Sequence, residues 1–150
     1  MPHGAMAGYV WAIEPTALHK HAPAAYKEFD DFVTTREIDL DTFGQTLDQD
    51  DNTPFYEYLT SDYGLGLDAE EGMKVYDRVW TLYQAVVHSF WNNTKCTIEL
   101  TTVDDGDGDN GSPYNEVSGP VWVIDACVMR PEVEALGQGV VDQKFYCVYG

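Results

Sequence analysis

Apolar positions in the middle of the chain recur three and four residues apart. Met73, Tyr76, Trp80, Tyr83, Val87 and Phe90 keep that rhythm, and Val79, Leu82 and Val86 widen the stripe, which predicts one long core helix. Asp68 followed by Glu71 reads as a capping-box start for it, and Gly64 and Gly66 punctuate the loop ahead. An aromatic stripe at this spacing is packing, not a cofactor box.

Upstream, Gly8 to Ile13 is rich in β-formers and stops at Glu14-Pro15, so a first strand is expected there, with a short turn of helix through Leu18. Pro23 suits the first position of a helix on which Tyr26, Phe29 and Val33 share a face, while Lys27, Glu28, Asp30 and Asp31 fall elsewhere on the wheel. Asp48, Asp50, Asp51 and Asn52 read as a polar break, after which Thr53 caps a short helix with Pro54 in first position and Phe55 to Leu59 in its body.

Beyond Asn93 the period falls to two. Cys96 to Val103 and Pro120 to Val128 read as two strands paired in a hairpin, a brief helical segment spans Glu132 to Leu136, and Lys144 to Tyr149 supplies a last strand. The order β-α-α-α-β-β-β implies a single α+β domain over residues 1–150, its helices packed on one face of a mainly antiparallel sheet. Residues 1–6, with a second methionine at Met6, read as a mobile start or as expression-derived residues. The last strand offers an edge on which a second copy could pair as a homodimer.

Composition supports a folded body, since 150 residues with 44% hydrophobic and 13% aromatic content can bury a core without staples. Apolar runs are far shorter than the roughly 20 residues needed to cross a bilayer, and no basic region precedes an apolar stretch at the start. Cys96, Cys127 and Cys147 are odd in number and lie in apolar runs, as buried free thiols of a reducing compartment do, so a cytoplasmic location is expected.

Charge changes the picture. The formal net charge is −18, and ten carboxylates fall between Asp39 and Glu71 without a single Lys or Arg. A field of that sign repels nucleic acid and anionic membrane and steers cationic surfaces inward.

Catalytic chemistry finds little support. Asp105, Asp107, Asp109 and Glu116 take positions one, three, five and twelve of a twelve-residue window, the oxygen spacing of a calcium loop, but Asn110 replaces the turn glycine and the flanks read as strands. Gly106, Gly108 and Gly111 support an acidic hairpin tip instead, because Gly, Asp and Asn are what a long solvated turn needs. His19 and His21 would share one side of an extended segment, and with His88 they lack zinc-ligand spacing, so no metal and no cofactor is assigned. The cysteines lack the electropositive, partly exposed setting of a nucleophile, and with 26 Asp and Glu residues some acid–base pair always appears by chance. No phosphate loop occurs, because Gly64-Leu65-Gly66 leads into Asp68, Glu70 and Glu71.

The expected function is therefore binding rather than catalysis. Duplex DNA carries about one negative charge per 1.7 Å of axis, and a rigid row of carboxylates can occupy a groove built for phosphates. The chain is expected to be an acidic inhibitor of a basic protein partner, a nuclease, toxin or DNA-binding protein, acting as a DNA mimic of the anti-defence or immunity type found in phages and mobile elements. Its expected contact residues are Asp39, Asp41, Asp48, Asp50, Asp51, Tyr56, Glu57, Tyr58, Asp62 and Tyr63. Two alternatives stand beside it. Acidity could be salt adaptation, for which sixteen Asp against ten Glu and few Lys also speak, or the 105–116 loop could serve a calcium-binding protein or small hydrolase.

Overall fold

In the computed structural model, which describes residues 5–49, 51–103, 119–125, 130–136 and 141–149, six helices pack with an antiparallel sheet in the order β2-β3-β1-β4. The strands are β1 (Ala5–Ile13), β2 (Ile98–Val103), β3 (Gly119–Ile124) and β4 (Val141–Tyr149). The helices are α1 (Pro15–His21), α2 (Pro23–Thr35), α3 (Asp41–Gln49), α4 (Thr53–Thr60), α5 (Ala69–Thr94) and α6 (Arg130–Glu134). The α+β class stands, and β2 and β3 pair as the alternation requires, with Leu100 opposite Trp122 and Ile98 opposite Ile124.

Prolines open three of the helices. Pro15, Pro23 and Pro54 sit in the first turns of α1, α2 and α4, where their missing N–H costs nothing and their fixed φ is already helical. Ala22 ends α1 and starts α2 at φ −142° and ψ 56°, which turns the chain between them.

The core lies between α5 and one face of the sheet. α5 presents Val75, Val79, Leu82, Tyr83, Val86 and Phe90; α2 adds Phe29 and Val33, α3 adds Phe43, and α4 adds Phe55 and Leu59. Ile98, Leu100, Trp122 and Ile124 close it from the sheet. Phe43 is wholly buried, with ring centroids 5.1 Å from Phe55, 5.3 Å from Trp80 and 5.4 Å from Tyr83, each edge-on. The Tyr83 hydroxyl accepts the Leu100 N–H at 3.2 Å, so one outward donor of the edge strand β2 is satisfied from α5.

Four expectations need correction. A helix, α3, occupies residues 41–49, to which the sequence pattern assigns no element, and takes in Asp48 of the expected polar break while Asp51 and Asn52 stay non-helical; Phe43 anchors it to three aromatic rings despite weak helix formers around it. β1 begins at Ala5, so Ala5 and Met6 belong to the sheet, paired with Tyr149 and Val148. His19 and His21 lie on a helix, not an extended segment, so they diverge: His19 meets Tyr26 edge-on at 4.9 Å and His21 meets Phe90 at 5.5 Å. Met73, placed in the core stripe, is 49% exposed, because the buried face of α5 runs through Val75, Val79 and Leu82.

The 105–116 loop, Cys127 and Asp50 lie outside the described residues. Lys144 to Tyr149 forms part of β4, the last strand in the sheet order. Among the described residues no helix is long and apolar enough to cross a membrane.

Candidate functional site

The acidic stretch forms the starts of three consecutive helices. A helix start has orphan N–H groups and a positive dipole end, and both favour carboxylates. Asp39 Oδ1 accepts the Asp41 N–H at 3.1 Å ahead of α3, Asp51 Oδ1 accepts the Thr53 N–H at 3.1 Å ahead of α4, and Asp68 Oδ1 accepts the Glu71 N–H at 2.8 Å as the cap of α5. Part of the acidity therefore serves local folding. The bond at Asp68 supplies one half of the capping box expected there, whereas α4 is started by Asp51 rather than by a Thr53 side chain.

Tyrosines fasten these starts together. The Asp39 N–H donates to the Tyr58 hydroxyl at 2.9 Å, and that hydroxyl donates to the Glu37 carbonyl at 3.5 Å, which ties the entry of α3 to α4. The Tyr56 hydroxyl donates to the Ala69 carbonyl at 3.5 Å, tying α4 to the start of α5. α4 and α5 then run antiparallel in close approach at Gly72, where a Cβ would lie 2.6 Å from Thr60 Cγ2. Gly64 is as tightly placed in the connecting loop, since its Cβ would fall on the Tyr58 carbonyl.

Seven of the carboxylates are exposed on this frame: Asp39, Asp51, Glu57, Asp62, Asp68, Glu70 and Glu71. Among the described residues one ion pair reaches them, Lys74 Nζ to Glu70 Oε1 at 3.5 Å, with both side chains largely in water, where such a pair is worth little. Asp41 is half-buried, and burial first, then the neighbouring Asp39 charge, pushes its carboxyl above the usual carboxylate range.

The expected contact residues take different parts. Asp39, Asp51, Glu57 and Asp62 are exposed, and Tyr63, which follows Asp62 in the chain, is 76% exposed, the most open large apolar side chain described. Tyr58 is a strut, its ring stacked 6.3 Å from Phe55. Tyr56 is half-buried between α4 and α5, and Asp48 belongs to the last turn of α3 by its backbone.

Sequence reading passed over a small groove here. Asn52, Thr53 and Tyr56 of the α4 side and Met73 and Tyr76 of α5 enclose about 240 Å³, mostly apolar. A larger open hollow of about 680 Å³ lies at the far end of α5, lined by Trp80, Tyr83, Val87, His88 and Trp91 among others. A signal for the smaller groove is Met73 itself, which lies at the edge of the aromatic stripe, between Tyr76 on one side of the helix wheel and Glu70 and Asp77 on the other. Among the described residues no three His, Cys, Asp or Glu side chains are grouped to hold a metal ion.

No protein-family model matches the chain, and neither a curated protein nor a solved structure matches it.

Proposed function

We propose that this chain is an acidic binding protein that inhibits a basic partner by docking on the partner's nucleic-acid-binding surface, in the manner of a DNA mimic. The supporting observation is the set of seven exposed carboxylates on a frame held by Tyr56 and Tyr58, reached among the described residues by a single ion pair. A mimic has to hold its charges in place before the partner arrives. Ordering them on contact would cost conformational entropy, whereas helix starts fastened to a core have already lost it. Long-range attraction speeds the encounter, and Arg and Lys contacts then hold the complex.

The proposed interface is the run from Asp39 to Glu71, with Tyr63 as its projecting aromatic residue. Tyrosine is a frequent interface anchor because it buries a large surface at small entropic cost. The proposed role needs no catalytic group, cofactor or membrane.

The test is affinity capture from host lysate with the wild-type chain and with Asp39→Lys/Asp51→Lys/Asp62→Lys, followed by elution with salt or with duplex DNA. Basic proteins retained by the wild type, released by either eluant and absent from the variant are the expected result. A variant that keeps every partner would leave the acidity with a solvating role only, which is the salt-adaptation reading.

A further inference from the structure

Resting on the acidic-surface reading above, we infer that the groove between α4 and α5 is a receptor for a single arginine side chain of the basic partner. Its size decides first. Small-molecule sites typically enclose about 300–1,000 Å³, and the groove encloses about 240 Å³, which suits one long side chain. Its walls decide next. Tyr56, Tyr76 and Met73 offer two aromatic rings and a thioether, surfaces that accept an alkyl stem and on which a guanidinium plane can stack.

The rim sets the charge of the occupant. Asp51 adjoins Asn52, Glu57 follows Thr53 by one turn, and Glu70 and Asp77 lie one turn to either side of Met73; all four are exposed. The cation on this part of α5, Lys74, is already beside Glu70 at 3.5 Å. An apolar side chain from the partner would fill the walls and leave Glu57 and Asp77 without a counter-charge, Asp51 already accepting the Thr53 N–H and Glu70 lying beside Lys74. A cationic one with an apolar stem satisfies both. Arginine fits better than lysine, because its planar fork stacks on tyrosine while donating in several directions, and the Asn52 side chain at the groove supplies a further acceptor.

The chain, labelled with ¹³C at its methionine methyls, is titrated at low salt with acetyl-hexaarginine amide and, separately, with acetyl-hexalysine amide. The expected result is movement of the Met73 methyl signal, binding of hexaarginine at least threefold tighter than hexalysine, and at least a fivefold loss of hexaarginine affinity in Met73→Lys. Ala85→Lys adds the same charge to the exposed face of α5 about 18 Å further along the helix, and should change affinity less than twofold. Circular dichroism checks that both variants keep their helix.

Binding with a static Met73 signal, or equal losses in the two variants, would overturn the pocket and leave the charged surface standing. A responding Met73 with equal affinity for both peptides would overturn the arginine assignment. Absence of binding by either peptide would overturn the pocket together with the surface reading on which it rests.

Discussion

Two pairs of helices do the same packing job with opposite surfaces. α1–α2 and α3–α4 both lean on α5 and the sheet through buried phenylalanines, Phe29 in the first pair and Phe43 and Phe55 in the second. Outside, α1–α2 carries charges of both signs, and several of them are engaged locally: Lys27 pairs with Asp31 at 2.8 Å, Arg78 of α5 reaches Glu28 at 3.8 Å, and Arg36 at the end of α2 lies 3.9 Å over the Phe32 ring. α3–α4 carries no cation at all. The comparison separates what folding requires from what it leaves over. Asp39, Asp51 and Asp68 accept backbone N–H groups, while Glu57, Asp62 and Glu71 accept none and form no ion pair among the described residues. Packing and capping do not account for Glu57 and Asp62, whereas Glu71 stands in the first turn of α5, where the helix dipole favours a carboxylate.

The comparison would break if α3–α4 were only a charged flap. Phe43→Ala removes a ring that meets three others and should cost about 3–5 kcal/mol, with Phe29→Ala, which has one edge contact to Trp122 at 5.8 Å, toward the lower end. Urea denaturation of the two variants measures it. A Phe43→Ala loss under about 1 kcal/mol would mean that the acidic helices are not tied to the core as the structure has them.

The same residue explains what was legible in the sequence and what was not. α5 could be read because its apolar positions repeat over many turns, and β2 and β3 because alternation survives at both registers. α3 could not, since Thr42, Gly44 and Thr46 are weak helix formers and acids crowd its ends. Leu40, Phe43 and Leu47 do keep helical spacing, but three positions make a faint signal, and the deciding contacts come from residues about 10 and 40 places away. Met73 was misplaced for a related reason: it extends the aromatic stripe in register, yet the buried face is centred on Val75, Val79 and Leu82. Of the candidate surface, the carboxylates were visible in composition, whereas their division into caps and unengaged groups depends on hydrogen bonds that only the fold reveals.

Capping sharpens the comparison at a middle scale. Neither α1 nor α2 has a side-chain cap, but α5 depends on Asp68. Asp68→Ala should therefore cost about 1 kcal/mol, and Asp68→Asn much less, because the amide oxygen still accepts the Glu71 N–H. Asp62→Ala should be within about 0.5 kcal/mol of the wild type. Thermal unfolding of the three variants in one buffer is the measurement. Equal losses at Asp68 and Asp62 would erase the distinction between capping and unengaged carboxylates.

Acid should act on the two pairs in opposite directions, and this is the smallest effect expected. His21, at the end of α1, has its Nε2 shielded with no hydrogen-bond partner among the described residues, its ring against Phe90, and its backbone carbonyl held by the Asn93 side chain at 2.5 Å. Burial first, then the charge of Lys20, lowers its pKa below the ordinary 6.5. A lowered folded value means that the unfolded chain takes up the proton first, so stability is full above pH 6.5 and declines as pH falls toward the folded pKa. Asp41, at the start of α3, has the reverse sign: its folded value is raised above 3.8, so its ionised form opposes folding at neutral pH, and that opposition fades as pH falls through the raised value. Against the wild type in each buffer, His21→Gln should gain relative stability between pH 8 and pH 5. Asp41→Asn should show its advantage at pH 7 and lose it by pH 3. Helix α3 would otherwise favour a negative charge at its first position, so an Asp41→Asn variant less stable than the wild type at pH 7 would show the helix dipole outweighing burial and the Asp39 charge. The acidic segment would then be electrostatically at ease even at its most crowded point.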